Sequence, residues 1–316
     1  MSILIVGAGA TGGYFGARLA AAGRDVTFLV RPGRAARLRE RGLRVTGPGG
    51  TTEVAEPHLV TADELAGTAG PAGTADVVLV TVKAAGLDAV AGELGPAVGP
   101  ATTIVPVLNG MRHLRLLNAA FGSARVLGGV ALISAQLDGN GDISLLNEAV
   151  SLRFGAQDGQ RTPLVERTGE LLSGAGFPVE VSGGIVAEMW SKWAFIAAAG
   201  AVTCLLRGTV GEIVAADGGE QAARAIVAET QAVARAAGYP VPDPWVRQTT
   251  GMLTAPGSPF TSSMYRDLRQ GRPVEVEPIL GDLIAAGREH GVPTPLLDAA
   301  TVALRVYQAG LDTGGV

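Results

Sequence analysis

The sequence predicts an α/β fold in its first half and an all-helical second half. Three observations carry that expectation. Short apolar strands alternate with helical stretches up to about residue 183. The run Val77-Val78-Leu79-Val80-Thr81-Val82 is almost unbroken in its apolar character, as a strand covered on both faces would be. Beyond Gly183-Gly184 the pattern changes to helices parted by prolines. A chain of 316 residues is long enough for two domains. Their expected limits are 1–183 and 184–316.

Taken in order, Ile3–Val6 is the first strand and Thr11–Ala22 the first helix. Val26–Val30, helix Gly33–Arg41, Val77–Val82 and Thr103–Val107 continue the alternation that marks a parallel sheet. Gly67–Ala75 is small, polar and rich in Gly and Pro, and reads as a surface loop. Val126–Ser134, Asp142–Leu146 and Ser151–Phe154 are expected as antiparallel strands extending the same sheet. The second half reads as helices at Ile185–Arg207, Gly219–Ala237, Trp245–Leu253, Phe260–Arg269, Pro278–His290 and Pro295–Gln308. Pro240-Val241-Pro242 and Thr254–Pro259 break the run.

Composition narrows the chemistry. Hydrophobic residues at 47 % and charged residues at 17 % suit a globular enzyme, and an aromatic share of 4 % implies a core of Ala, Val and Leu. The net charge of −4 argues against nucleic acid as a partner. Cys204 is the single cysteine, so no intrachain disulfide forms and no Cys/His set suggests a metal; it is expected to be a buried, inert thiol. The first residues run straight into a strand without a basic leader, and the apolar stretch Trp193–Leu206 is short for a membrane span. A cytoplasmic protein without a membrane partner is expected.

Directly after the first strand stands Gly7-Ala8-Gly9-Ala10-Thr11-Gly12, a G-x-G-x-x-G between strand and helix. Gly7 permits the tight turn, Gly9 lets backbone approach a pyrophosphate, and Gly12 lets helix pack on strand. The helix start offers unpaired N–H groups, including those of Ala10 and Thr11, to an anion. With 46 glycines in the chain the hexamer alone is weak. Its place after the first strand makes it a Rossmann-type dinucleotide site. An NAD site would carry Asp or Glu at the end of the second strand, whereas here the strand runs into Arg31-Pro32-Gly33-Arg34. A guanidinium at Arg31 suits a 2′-phosphate, so NADP (NADPH) is the expected cofactor; otherwise Arg31 and Arg34 only mark a solvated helix start.

Two lysines, Lys83 and Lys192, stand against twenty-three arginines. Arginine stays protonated at any working pH, whereas an ammonium can release its proton, so a retained lysine is a candidate proton donor.

The chain resembles the ketopantoate reductase (2-dehydropantoate 2-reductase) family over nearly its whole length. The matching stretches are Gly7–Gly12, Leu29-Val30-Arg31, Val80-Thr81-Val82-Lys83, Leu108-Asn109-Gly110-Met111, Ala187–Lys192, Ser262-Ser263-Met264 and Glu275–Gly281. The resemblance implies Lys192 as proton donor to a keto oxygen, with Glu275 as its paired carboxylate. It implies Ser263 on the substrate carboxylate, Asn109 beside nicotinamide and substrate, and Lys83 beside the cofactor. The implied activity is NADPH-dependent reduction of a small 2-oxo acid, and a homodimer is a possible assembly. Read from the residues alone, Glu275 would raise the Lys192 pKa and burial would lower it. Ser262 and Ser263 could each be helix caps, and Arg266, Arg269 and Arg272 a solvated helix face.

One departure stands out. Family members commonly carry asparagines four and eight residues after the lysine; here these positions are Ile196 and Gly200. Substrate hydrogen bonds are lost with them, which favours a more apolar 2-oxo acid or another ketone. Thr203 offers one hydroxyl near that face. The other readings are an oxidoreductase like the 3-hydroxyacid dehydrogenases, against which Ile196 speaks, and a catalytically silent NADP-binding sensor.

Overall fold

The computed structural model describes residues 1–67 and 73–312, so most of the expected Gly67–Ala75 loop lies outside the described residues. The chain divides into two compact units. One holds Met1–Leu108 and His113–Val186; the other holds Asn109–Arg112 together with the chain from Ala187 onward. The strip at Asn109–Arg112 belongs with the helices, although it directly follows the strands of the first unit.

In the first unit, β1 (Ser2–Val6), α1 (Ala10–Ala21), β2 (Asp25–Leu29) and α2 (Pro32–Arg41) open the chain. A hairpin of β3 (Leu43–Gly47) and β4 (Gly50–Val54), then β5 (His58–Val60) and α3 (Ala62–Ala66), lead to β6 (Val77–Val80), α4 (Leu87–Glu93) and β7 (Thr103–Pro106). A five-stranded parallel sheet runs in the order β5-β2-β1-β6-β7. Strands β6 and β7 are buried along their whole length, which explains their continuous apolar sequence.

After α5 (Arg112–Phe121) come β8 (Gly128–Leu132), β9 (Ala135–Leu137), β10 (Ile143–Leu145), β11 (Ser151–Gly155), α6 (Pro163–Leu172) and β12 (Val179–Val181). These strands do not extend the parallel sheet as expected. They form two further sheets, β4-β3-β10-β9 and β12-β11-β8, and just before β8 an isolated parallel bridge pairs Val126 with Ile104. Pairing is also not wholly antiparallel: β10 runs parallel to β3, and β11 parallel to β12. One core serves all three sheets. Ile3, Ile5, Phe15, Phe28 and Leu79 share it with Ile143, Leu152 and Phe154. Because those side chains close the same core from several sides, the later strands need not join the first sheet to bury their apolar faces.

The second unit is helical: α7 (Ile185–Leu206), α8 (Val210–Ala215), α9 (Gly219–Ala236), α10 (Asp243–Leu253), α11 (Ser263–Arg269), α12 (Asp282–Glu289) and α13 (Pro295–Asp312). Helix α7 is 22 residues long and apolar enough to cross a membrane by length and composition, yet it is mostly buried inside the protein. Its hydrophobic surround marks it as the core helix of this unit. Helix α9 packs on α8, α10, α12 and α13. The Glu229 carboxylate of α9 accepts from the Leu296 and Leu297 amides at 3.0 and 2.9 Å, capping α13. A single π-helical turn, Glu277–Gly281, precedes α12. Such turns cluster at functional sites.

Candidate active site

Two groups of predicted residues take shape, one in each unit. In the first, β1 ends at Val6 and the chain turns through Gly7 into α1. Gly7 has φ +95°, a conformation that disfavours any side chain. At Gly12 a Cβ would collide with the Gly7 carbonyl oxygen and with Thr81 Oγ1, so only glycine allows this approach of helix to turn. The Thr81 hydroxyl lies 2.8 Å from the Val6 carbonyl oxygen and 2.9 Å from that of Gly7, and donates to them. Gly9 is the N-cap of α1 and supplies no side-chain cap, so the amides of the first turn, Ala10 and Thr11 among them, have no side-chain acceptor there. A Cβ at Gly9 would meet nothing within 4 Å. These features fit a pyrophosphate at the helix N-terminus.

Arg31 and Lys83 are both exposed and flank this turn in the sheet order. Arg31 follows β2 at the N-cap position of α2, without a side-chain cap; Lys83 follows β6 and opens a 3₁₀ turn at Ala84–Gly86. A Cβ on Gly86 would lie 3.6 Å from Arg31 Nη2. The β1–β6 pair is where sequence order reverses across the sheet, the place where open α/β sheets bind ligands. Arg34 does more than mark a solvated helix start: its Nε donates to the Ala8 carbonyl at 3.1 Å. Burial and the neighbouring Arg37 lower its pKa. Neither Thr81 nor Arg34 was recognisable in the sequence as a support of the turn, because each acts across a distance of chain.

The second group centres on Lys192 of α7. Burial pulls its ammonium down to about 8, and the Glu275 carboxylate, acting in the other direction, only partly offsets this. Of the two opposing influences, burial is the larger. The Asn109 side-chain amide donates to Glu275 Oε2 at 3.2 Å. Gly110, with φ +77°, packs its α-carbon against the Pro278 carbonyl, where a Cβ would clash. Trp193, next to Lys192, donates its indole N–H to the Ile279 carbonyl at 2.9 Å, a buried bond. So the π-helical turn after Glu275 is held by α7 on one side and by the Asn109–Gly110 strip on another. Lys192, Glu275 and Asn109 come together from three distant stretches of chain.

Ser263 enters through its neighbours. Ser262 is buried and caps α11, its hydroxyl accepting from the Tyr265 amide at 3.0 Å, while Ser263 stays exposed. Thr203 Oγ1 donates to the Ala199 carbonyl and lies 2.7 Å from Ser262 Oγ, so its hydroxyl is engaged inside the fold. Arg266 departs from the solvated face expected of it: it is partly buried, with a lowered pKa, and donates to the Thr261 carbonyl at 2.8 Å. Cys204 is buried and its thiol is pushed up to about 12, the inert state expected.

Known proteins resemble both units. Residues 3–159 match the model of the family described as ketopantoate reductase PanE/ApbA, and residues 184–308 match its C-terminal counterpart. The uncharacterized oxidoreductase YkpB of Bacillus subtilis (strain 168) is 34 % identical over 309 residues, covering 98 % of this chain and 99 % of that one. A solved 2-dehydropantoate 2-reductase from Geobacter metallireducens superposes with a TM-score of 0.85 at 27 % identity, covering 97 % of this chain and 99 % of that chain. A ternary structure of D-mandelate dehydrogenase with NADH and anilino(oxo)acetate shares the fold at TM-score 0.85 and 22 % identity, covering 99 % of this chain and 100 % of that chain. With an α/β unit, a helical unit and both family models matched along most of its length, the chain is an oxidoreductase that belongs to the ketopantoate reductase family.

Proposed function

We infer that the protein is an NADPH-dependent reductase that converts a small 2-oxo acid to its 2-hydroxy acid in the cytoplasm. The observation that carries this reading is Lys192, a lysine in a lysine-poor chain whose ammonium burial brings to about 8 beside Glu275. A group with that pKa is largely protonated at neutrality and can still give up its proton.

The amides of Ala10 and Thr11, with Gly7, Gly9 and Gly12, would hold the pyrophosphate of the dinucleotide. Arg31 would take a 2′-phosphate, and Lys83 would stand beside the cofactor. When bound, the reduced nicotinamide supplies the hydride that adds to the keto carbon. Lys192 Nζ stabilises the charge developing on the keto oxygen and delivers the proton there. Glu275 keeps that ammonium charged and oriented, and Asn109 fixes Glu275 through its amide. Ser263 holds the substrate carboxylate with its exposed hydroxyl.

Fluorescence titration with NADPH and NADH tests the cofactor, with tighter NADPH binding expected; a preference for NADH would overturn the Arg31 assignment. Loss of NADPH absorbance on adding 2-oxo acids tests the reaction. No turnover with any of them would leave a dinucleotide-binding protein without this chemistry.

A further inference from the structure

Helix α7 presents to the surroundings of Lys192 a face without free polar groups. After Lys192 its polar side chains are Trp193, Thr203 and Cys204. The indole N–H of Trp193 is bonded to Ile279. The Thr203 hydroxyl is bonded to Ala199 and Ser262, and Ser262 already accepts from Tyr265. Cys204 is buried.

Ile196 stands one turn after Lys192 on the same face and is only partly buried. Gly200, one turn further, has no side chain, and the space beside it belongs to Met264. The Cε and Sδ atoms of Met264 lie 3.4 and 3.6 Å from where a Cβ on Gly200 would be. Of the polar groups assigned to the site from other segments, the Asn109 amide donates to the Glu275 carboxylate, and the Ser263 hydroxyl is committed to the substrate carboxylate in the reading above.

We propose that Ile196 and Met264 form an apolar wall that selects 2-oxo acids with an apolar, hydroxyl-free side chain. The inference rests on the reductase reading and narrows its substrate class. A hydroxyl carried against isoleucine and a thioether gives up its water and gains no partner, so it is disfavoured relative to a methyl of similar size.

The test uses two acids that differ by one oxygen, 3,3-dimethyl-2-oxobutanoate and 4-hydroxy-3,3-dimethyl-2-oxobutanoate. Their kcat/KM values are measured with saturating NADPH on the full chain. The acid without the hydroxyl is expected to be favoured by about tenfold or more. Ile196→Asn, which returns an amide to the wall, is expected to move that ratio by about tenfold toward the hydroxylated acid. Thermal unfolding checks that the variant is folded, and Ile196→Thr replaces it if it is not. A wild-type preference for the hydroxylated acid, or a ratio unmoved in the folded variant, overturns the wall while leaving the reductase intact. Reduction of neither acid, nor of phenylglyoxylate or 4-methyl-2-oxopentanoate, overturns the reductase reading and this inference with it.

Discussion

Between Val6 and Gly12 the chain makes its candidate anion site from consecutive residues, while the group around Lys192 draws on residues 109, 192 and 275. The glycine turn is a matter of local geometry. A positive φ at Gly7 and a close approach at Gly12 follow from the tight exit of a strand into a helix, and the motif announces both. The Lys192 group is a matter of environment. Its key property, an ammonium lowered to about 8, depends on how much water the rest of the helical unit removes. The turn leans on a few distant groups, Thr81 and Arg34 among them, whereas the Lys192 group depends on everything that removes water around it.

The largest expected effect separates the two regions outright. Lys192→Ala should lower kcat by ~10²–10⁴-fold, the usual contribution of a general acid, with little change in NADPH affinity. Stopped-flow turnover and fluorescence titration read the two quantities, and a comparable loss of NADPH binding would show that the regions are not separable. The converse change is Gly12→Val, whose side chain must displace the Gly7 carbonyl or Thr81. An overpacking strain of about 1–3 kcal/mol corresponds to a loss of NADPH affinity of up to ~100-fold. Unchanged affinity would mean that the turn yields where the packing says it cannot.

The pH profile sharpens the contrast further. Reduction should slow as pH rises through about 8, where Lys192 loses its proton. In Glu275→Gln the charge that opposes burial is gone, so that limb should move to lower pH. A limb that stays in place would separate Glu275 from the proton donor. Stability follows with a definite sign. The Lys192 pKa is depressed in the fold, so between about 8 and the ordinary 10.5 the unfolded chain binds more protons. The stability penalty of the buried ammonium is therefore full below about 8 and relieved as pH rises through that window. Urea unfolding should find the gain from Lys192→Met shrinking over the same interval.

The smallest effect returns to the glycine turn. Thr81→Val removes a hydroxyl that donates to the Val6 and Gly7 carbonyls. A cost of about 1 kcal/mol in stability is expected, together with a few-fold weaker NADPH binding, as for the loss of one hydrogen bond.

Much of the fold was legible from the residues. Four of the five strands of the parallel sheet, helices α1 and α2, and the long helices of the second unit follow from apolar period and from Gly and Pro punctuation; the three-residue edge strand β5 is too short to show a period. The hairpin at Leu43–Val54 was overlooked although Gly47-Pro48-Gly49-Gly50 marks its turn, and α8 is too short to show a period. The strands after residue 126 were expected in the wrong sheet. Their partners, β3 for β10 and β12 for β11, lie far from them in sequence, and alternation within a strand says nothing about which edge it joins.

For the candidate site, the residue types at 192, 275, 109 and 263 were readable through resemblance, but their states were not. Two adjacent serines look alike in sequence; only the start of α11 shows that Ser262 takes the cap and Ser263 remains outside. Nothing in the residue types of Arg34 and Arg266 marks their partners, the Ala8 and Thr261 carbonyls, which the fold alone brings beside them.

What the sequence determined by itself was therefore everything that depends on a residue and its near neighbours in the chain: the glycine turn, the alternation of strand and helix, and the presence of a lysine where arginine was the rule. The tertiary structure decided which strands pair, which hydroxyls are spent inside the fold, and that burial outweighs Glu275 at Lys192. Hydration and charge are fixed by whatever lies within a few ångströms in space, and at Lys192 that neighbourhood is assembled from segments more than eighty residues away on either side.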